Sequence, residues 1–255
     1  MAEYGYADIA GMIDHSLLQP FLSQDELERG IQVALDYGTA TVCILPYYVA
    51  RCAQRLAGTP VLATTTVGFP HGAHVTSVKV AEARQALADG ARELDMVVNI
   101  SAVKSGAWDY VRRDIAEVLA ATRAAGGRLK VIFENCYLNE AQKIRLCGIC
   151  GELGVDWVKT STGYGSGGAT EEDVALMRRH SPPQVQVKAA GGIRDLDTLL
   201  RMRALGATRI GATRTAAILE ECRRRLGLPP IDPGTGCEGK SGGVSAAETP
   251  GTIGR

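Results

Sequence analysis

The chain has 255 residues, 45% of them hydrophobic, and its 28 basic side chains are balanced by 28 acidic ones. That length supports one large core, and the charge balance argues against a nucleic-acid or anionic-membrane partner. The N-terminal "MAEYGYADIAGMIDHSLL" has no basic lead-in, and no later stretch approaches the ~18 uncharged apolar residues of a membrane span, so a soluble cytoplasmic protein is expected.

In chain order, a short N-terminal helix is expected to precede a first strand at "GMIDH", 11–15. Strand-like stretches follow at "TATVCIL" (39–45), "VLATTTV" (61–67), "ELDMVVNI" (93–100), "LKVIFE" (129–134), "DWVKTS" (156–161), "VQVKAA" (185–190) and "TRIGA" (208–212). Most are introduced by a helix-like segment ending at a glycine: Gly38, Gly58, Gly90, Gly126, Gly154 and Gly206. The seventh follows the breaker "SPP" at 181–183. Between the last two strands, Leu196, Leu199, Leu200 and Ala204 carry helical spacing after a candidate N-cap, Asp195.

Strands that alternate with helices run parallel, and eight such units predict a single-domain (β/α)8 TIM barrel over residues 1–226. A doubly wound sheet usually has fewer strands and a glycine-rich loop after its first. Residues 227–255 are rich in Gly, Pro, Ser and Thr without apolar period, and a mobile tail is expected there.

Three motifs are set aside. "GTGCEGKS" at 234–241 has P-loop spacing, but no buried strand leads in and no helix leads out. "LCGIC" at 146–150 is a C-x-x-C inside a predicted helix, with no second cysteine pair to complete a zinc set. The seven cysteines form an odd, irregular set, read as reduced thiols. "HGAH" at 71–74 matches no familiar ligand spacing, so a chemistry without metal or cofactor is expected.

Barrel active sites take their groups from the C-terminal ends of strands. Here those ends carry Asp14, Cys43, Asp95 and Asn99, Glu134, Lys159 and Lys188. Alternation puts Asp95, Val97 and Asn99 on one face of the fourth strand, and Trp157, Lys159 and Ser161 on one face of the sixth. If those faces point inward, the lysines and Asp95 converge. A structural salt-bridge network would account for one such lysine. Two on consecutive strands favour more, because a neighbouring cation leaves more free amine, and Lys159 is then suited to forming a Schiff base.

Glycine turns follow the same strands: "STGYGSGG" with Gly163, "AAGGIRD" with Gly191 and Gly192, and "GATRT" with Gly211, Thr213 and Arg214. Backbone N–H groups at such turns bind phosphate, usually in the last loops of a barrel.

Together, "IDHSLL", "VCILP", "VGFPHG", "ELDMVVNI", "SGAWDYVRRDI", "VKTSTGYGSGGAT" and "VKAAGGIR" resemble, in order, the motifs of the deoxyribose-phosphate aldolase family, over about residues 10 to 225. The resemblance implies a cofactor-independent class I aldolase that cleaves 2-deoxy-D-ribose 5-phosphate to acetaldehyde and glyceraldehyde 3-phosphate. It implies Lys159 as the Schiff-base nucleophile, Lys188 as its activating cation, Asp95 as proton-transfer partner through water, and Asp14 as the group holding Lys188. A homodimer is the family's habit, and phosphosugar and aldehyde would be its only partners.

Cys43 falls where the family has a cysteine near the pocket, and a buried apolar thiol accounts for it equally. At Thr213-Arg214 the family commonly has small residues, often serines. Arg214 would either clamp phosphate with bidentate bonds or point outward, or it would mark a subfamily with another substrate. Some members end in a tyrosine that reaches the active site, whereas no tyrosine follows Tyr164 here. Two alternatives stand beside the main reading: a Schiff-base aldolase with another donor or phosphosugar, and a non-catalytic phosphosugar-binding barrel.

Overall fold

The computed structural model describes residues 4–231. Eight strands, β1 (Ile13–Leu17), β2 (Thr41–Ile44), β3 (Leu62–Val67), β4 (Glu93–Val97), β5 (Arg128–Ile132), β6 (Trp157–Lys159), β7 (Gln186–Ala190) and β8 (Ala207–Ala212), pair in sequence order and close through β8 onto β1. All the pairings are parallel. The expected (β/α)8 barrel is therefore present, with every expected strand found.

The helices are α1 (Tyr6–Ala10), α2 (Gln24–Tyr37), α3 (Val49–Leu56), α4 (Thr76–Ala88), α5 (Ile100–Lys104), α6 (Trp108–Ala124), α7 (Glu140–Leu153), α8 (Glu171–His180), α9 (Leu196–Ala204) and α10 (Thr215–Arg225). The six punctuating glycines all have positive φ, a conformation that stops a helix cheaply only when no Cβ is present. The N-cap side chains of Ser23, Asn139, Thr170 and Asp195 each accept a hydrogen bond from the first turn of their helix, α2, α7, α8 and α9 respectively.

Parallel strands covered by helices are buried on both faces, which is why they read as apolar runs. Outward-facing Val42, Leu94, Val131, Val158 and Val187 pack in one continuous core with helix residues such as Ile31, Ile115, Leu146 and Leu199. Cys147 and Cys150 of the C-x-x-C belong to this core and are fully buried free thiols.

Among the described residues no helix is long and apolar enough to cross a membrane. Residues 228–231 lie along α10: Arg223 Nε donates to the carbonyl of Pro229 at 2.7 Å, and Ile231 N donates to Glu220 Oε1 at 3.0 Å. The P-loop-like stretch, Cys237 and the rest of the expected tail lie outside the described residues.

Candidate active site

Register places the polar strand-end groups. Lys159 on β6 pairs directly with Lys188 on β7, so both side chains leave the sheet at one level and on one face. That face is the barrel interior, where Trp157 and Lys159 point as alternation requires. A barrel interior is ordinarily filled by branched apolar layers. This one holds three carboxylates, Asp14, Glu93 and Asp95, and four cationic side chains, Lys130, Lys159, Lys188 and Arg209, all buried.

The upper part of the cluster centres on Asp95. Its Oδ2 accepts from Lys159 Nζ at 2.7 Å and from Lys188 Nζ at 2.7 Å, while Oδ1 accepts from Lys130 at 2.9 Å. Lys188 also donates to Asp14 Oδ2, and the other oxygen of Asp14 accepts from Arg209 at 2.6 Å. Below, Glu93 meets Lys130 at 2.5 Å and Arg209 at 3.0 Å, with the Trp157 ring 4.8 Å under the Arg209 guanidinium.

Burial is the largest influence on Lys159, Lys188, Asp14 and Asp95, and the surrounding charges reinforce or overturn it. For Lys159, burial and the Lys188 ammonium together outweigh the attraction of Asp95, and its pKa lies below the ordinary lysine value. For Lys188, burial opposes the charge but Asp14 and Asp95 outweigh it, and its pKa is raised. Burial would neutralise Asp14 and Asp95, yet the surrounding cations hold both ionised, below the usual carboxylate range. Four buried cations and the exposed Arg128, which reaches Glu93 at 2.5 Å, face three buried carboxylates, so a proton on Lys159 adds to an excess of positive charge in a low-dielectric interior.

Above Lys159 and Lys188 opens a cavity of about 250 Å³, walled also by Asp14, Ser16, Cys43 and the glycine turns. Gly163, Gly191, Gly192, Gly211 and Thr213 all line it. Asp95 lies just beneath, fully buried. Two glycines are there for close approach: a Cβ on Gly191, at φ +86°, would sit 2.9 Å from Gly168 Cα, and one on Gly211 would sit 2.9 Å from Ala190 Cβ. The Cys43 thiol borders the cavity, its pKa raised to about 11, first by burial and then by Asp95, so it stays protonated.

Other residues fall elsewhere. Arg214 is exposed at the N-cap of α10 and is not among the cavity's lining residues, whereas Arg194 of the "AAGGIRD" turn is. Asn99 does not continue the inward face: β4 ends at Val97, and Asn99 caps α5 by accepting from Ala102 N at 3.0 Å. Glu134 lies beyond β5 with φ 57° and binds Thr162 rather than the lysines. His71 and His74 are exposed, and among the described residues no cluster of three or more His, Cys, Asp or Glu is arranged for a metal ion.

Sequence reasoning missed Lys130, Arg209, Glu93, Arg194 and Tyr164. Lys130 and Arg209 carried the same signal as Lys159, a cation inside a strand. Tyr164 spans the mouth: its hydroxyl donates to the carbonyl of Leu18 at 2.7 Å and its ring meets Phe69 edge-on, centroids 5.3 Å apart.

A parallel barrel whose strand ends bring an amine with depressed pKa, a second ammonium and a shared carboxylate under a glycine-walled cavity is an aldolase-type (β/α)8 enzyme. The chain belongs to the DeoC/LacD family of aldolases, whose model matches residues 11–222. It is 63% identical over 232 residues to the deoxyribose-phosphate aldolase of Rhodopirellula baltica, covering 91% of this chain and 96% of that one. The deoxyribose-phosphate aldolase of Thermococcus gammatolerans is 48% identical, over 85% of this chain and 97% of that protein. Among solved structures, the aldolase QR15 is 40% identical with a TM-score of 0.82, covering 87% of this chain and 99% of that one. The tetrameric deoxyribose phosphate aldolase of Aeropyrum pernix is 28% identical with a TM-score of 0.80, over 86% and 92% of the two chains.

Proposed function

We propose that this protein is a class I aldolase that reversibly cleaves 2-deoxy-D-ribose 5-phosphate to D-glyceraldehyde 3-phosphate and acetaldehyde through a Schiff base on Lys159. The carrying observation is the meeting of Lys159 and Lys188 on one oxygen of Asp95, each at 2.7 Å, at the floor of the cavity. Support for the substrate comes from relatives of that name over nearly the whole described chain.

The chemistry uses groups of this chain alone. Lys159 attacks the open-chain aldehyde, and loss of water leaves an iminium. The iminium withdraws electrons, so removal of the hydroxyl proton next to the scissile bond releases glyceraldehyde 3-phosphate and leaves an enamine on Lys159. Reprotonation at carbon and hydrolysis then free acetaldehyde and the amine. Asp95, bonded to Lys159, moves these protons through water, while burial and Lys188 favour the free amine of Lys159 and Asp14 holds Lys188. The turns at Gly163, Gly191–Gly192 and Gly211–Thr213 receive the phosphate.

The same reading makes residues 1–226 one catalytic domain, with the 227–255 tail outside catalysis, and makes the protein a cytoplasmic homodimer serving deoxyribonucleotide breakdown. Among the described residues, six free cysteines, five of them buried, suit a reducing compartment. The test is borohydride reduction in the presence of deoxyribose 5-phosphate. Stable mass should appear on Lys159, and Lys159→Ala should abolish both labelling and turnover; labelling elsewhere overturns the assignment.

A further inference from the structure

Consecutive residues of a strand face opposite ways, and β1 uses both directions at one level. Asp14 points into the barrel to Lys188 and Arg209. His15 points outward, into the seam between the barrel and α10, where it is 5% exposed. There its Nδ1 lies 2.7 Å from Oγ1 of Thr215, itself fully buried. Thr215 is the first residue of α10, and the turn before it, Gly211 to Thr213, is cavity wall.

The start of α10 lacks the usual anchor. Arg214 at its N-cap makes no side-chain cap bond, unlike the caps of α2, α7, α8 and α9. The hydrogen bond to His15 joins that first turn to a strand 200 residues away in sequence. The backbone register His15↔Ala212 fixes the adjoining end of β8 to the same strand. Burial lowers the His15 pKa to about 4, so the imidazole is neutral near pH 7 and acts by geometry.

We propose that His15 is a positioning residue for the phosphate end of the substrate: through Thr215 it fixes the first turn of α10 against β1. The neighbouring Asp14 fixes Lys188 from the same strand, so β1 sets the separation between the amine pair and the anion-binding turn. This rests on the reading that the Gly191–Gly192 and Gly211–Thr213 turns hold phosphate.

The test compares deoxyribose 5-phosphate with unphosphorylated deoxyribose on full-length His15→Leu, His15→Asn, Thr215→Val and the His15→Leu/Thr215→Val double variant. Losing this buried bond should raise KM for the phosphorylated substrate about three- to tenfold in His15→Leu and Thr215→Val, with kcat within about twofold. kcat/KM for deoxyribose should stay at the parent value. His15→Asn, which keeps a polar atom near the place of Nδ1, should restore KM, and the double variant should be no worse than the worse single one. Equal losses on both substrates, additive effects, or an unchanged KM overturn the inference. The parent protein tests the underlying reading separately: without preference for the phosphorylated sugar and without competitive inhibition by inorganic phosphate, the phosphate site itself falls. A parent that shows both, with variants that keep its KM, overturns only the role of His15.

Discussion

Lys188→Met removes one charge from the cluster while nearly preserving side-chain length. Lys159 and Lys188 both bond to Asp95 Oδ2 at 2.7 Å, which places their nitrogens within roughly 4 to 5 Å of each other by the tetrahedral preference of such contacts. At an effective dielectric near 20, like charges about 4.5 Å apart repel by about 4 kcal/mol. Removing that repulsion raises the Lys159 pKa, since the Lys188 charge is one of the causes that lower it. Lys159 attacks only as free amine, so activity climbs with pH through its pKa. The acid limb of kcat/KM should therefore move alkaline, and kcat/KM at pH 7 should fall about a hundredfold or more, largely recovered at high pH.

The assay is kcat/KM between pH 5 and 10 with coupled detection of glyceraldehyde 3-phosphate, alongside borohydride trapping at each pH. Lys188→Arg, which keeps the charge, should move the limb less. Near-UV circular dichroism separates these effects from unfolding, since breaking a buried pair costs about 3 to 5 kcal/mol of stability. A constant loss at every pH, with the limb unmoved, would refute electrostatic activation by Lys188.

Gly211→Ala would place a Cβ 2.9 Å from Ala190 Cβ and 3.5 Å from Lys188 Cε, so kcat should fall about tenfold or more as Lys188 shifts, read by steady-state rates and a crystal structure. Arg194 lines the cavity and Arg214 does not. Arg194→Ala should therefore raise KM for deoxyribose 5-phosphate about tenfold, and Arg214→Ser less than about twofold. His15, lowered from 6.5 to about 4, takes up its proton first in the unfolded chain, so stability is fully present above about pH 6.5 and declines toward pH 4. That decline should amount to about 3 kcal/mol, and His15→Asn should remove it from a plot of Tm against pH. Asp14 and Asp95, held below 3.8, lose their contribution only at lower pH.

The barrel was legible because its two signals are local. A glycine that stops a helix and an apolar run buried on both faces are each written in a few adjacent residues. Lys159, Lys188, Asp14 and Asp95 were legible because a charge inside such a run demands a partner. Lys130 and Arg209 are, like Lys159 and Lys188, the third residues of their strands, and only pairing tells their depth: Lys130 is level with Trp157, two residues below Lys159. Register across non-neighbouring strands decides that, as with Glu93 at the very start of β4. Asn99 was misplaced because β4 ends two residues before it, and an amide at that point is better used as a helix cap. Arg194 and Arg214 are alike in sequence, each just after a glycine turn, and only the path of the loop separates them.

The position of Lys130 bears on how the amine is kept reactive. Asp95 alone would bind a proton on Lys159 and make it a poor nucleophile; Asp95 already accepting from Lys130 and Lys188 is a weaker base toward a third ammonium. Arg209 does the same for Asp14, whose other oxygen faces Lys188. Each carboxylate is thus shared by more than one permanent cation, and the excess positive charge is relieved most easily where a proton can leave. Lys130, Lys188 and Arg209 all have raised pKa values, and Lys159 alone among the four is lowered. The site selects its nucleophile by making every other cation in the cluster harder to deprotonate.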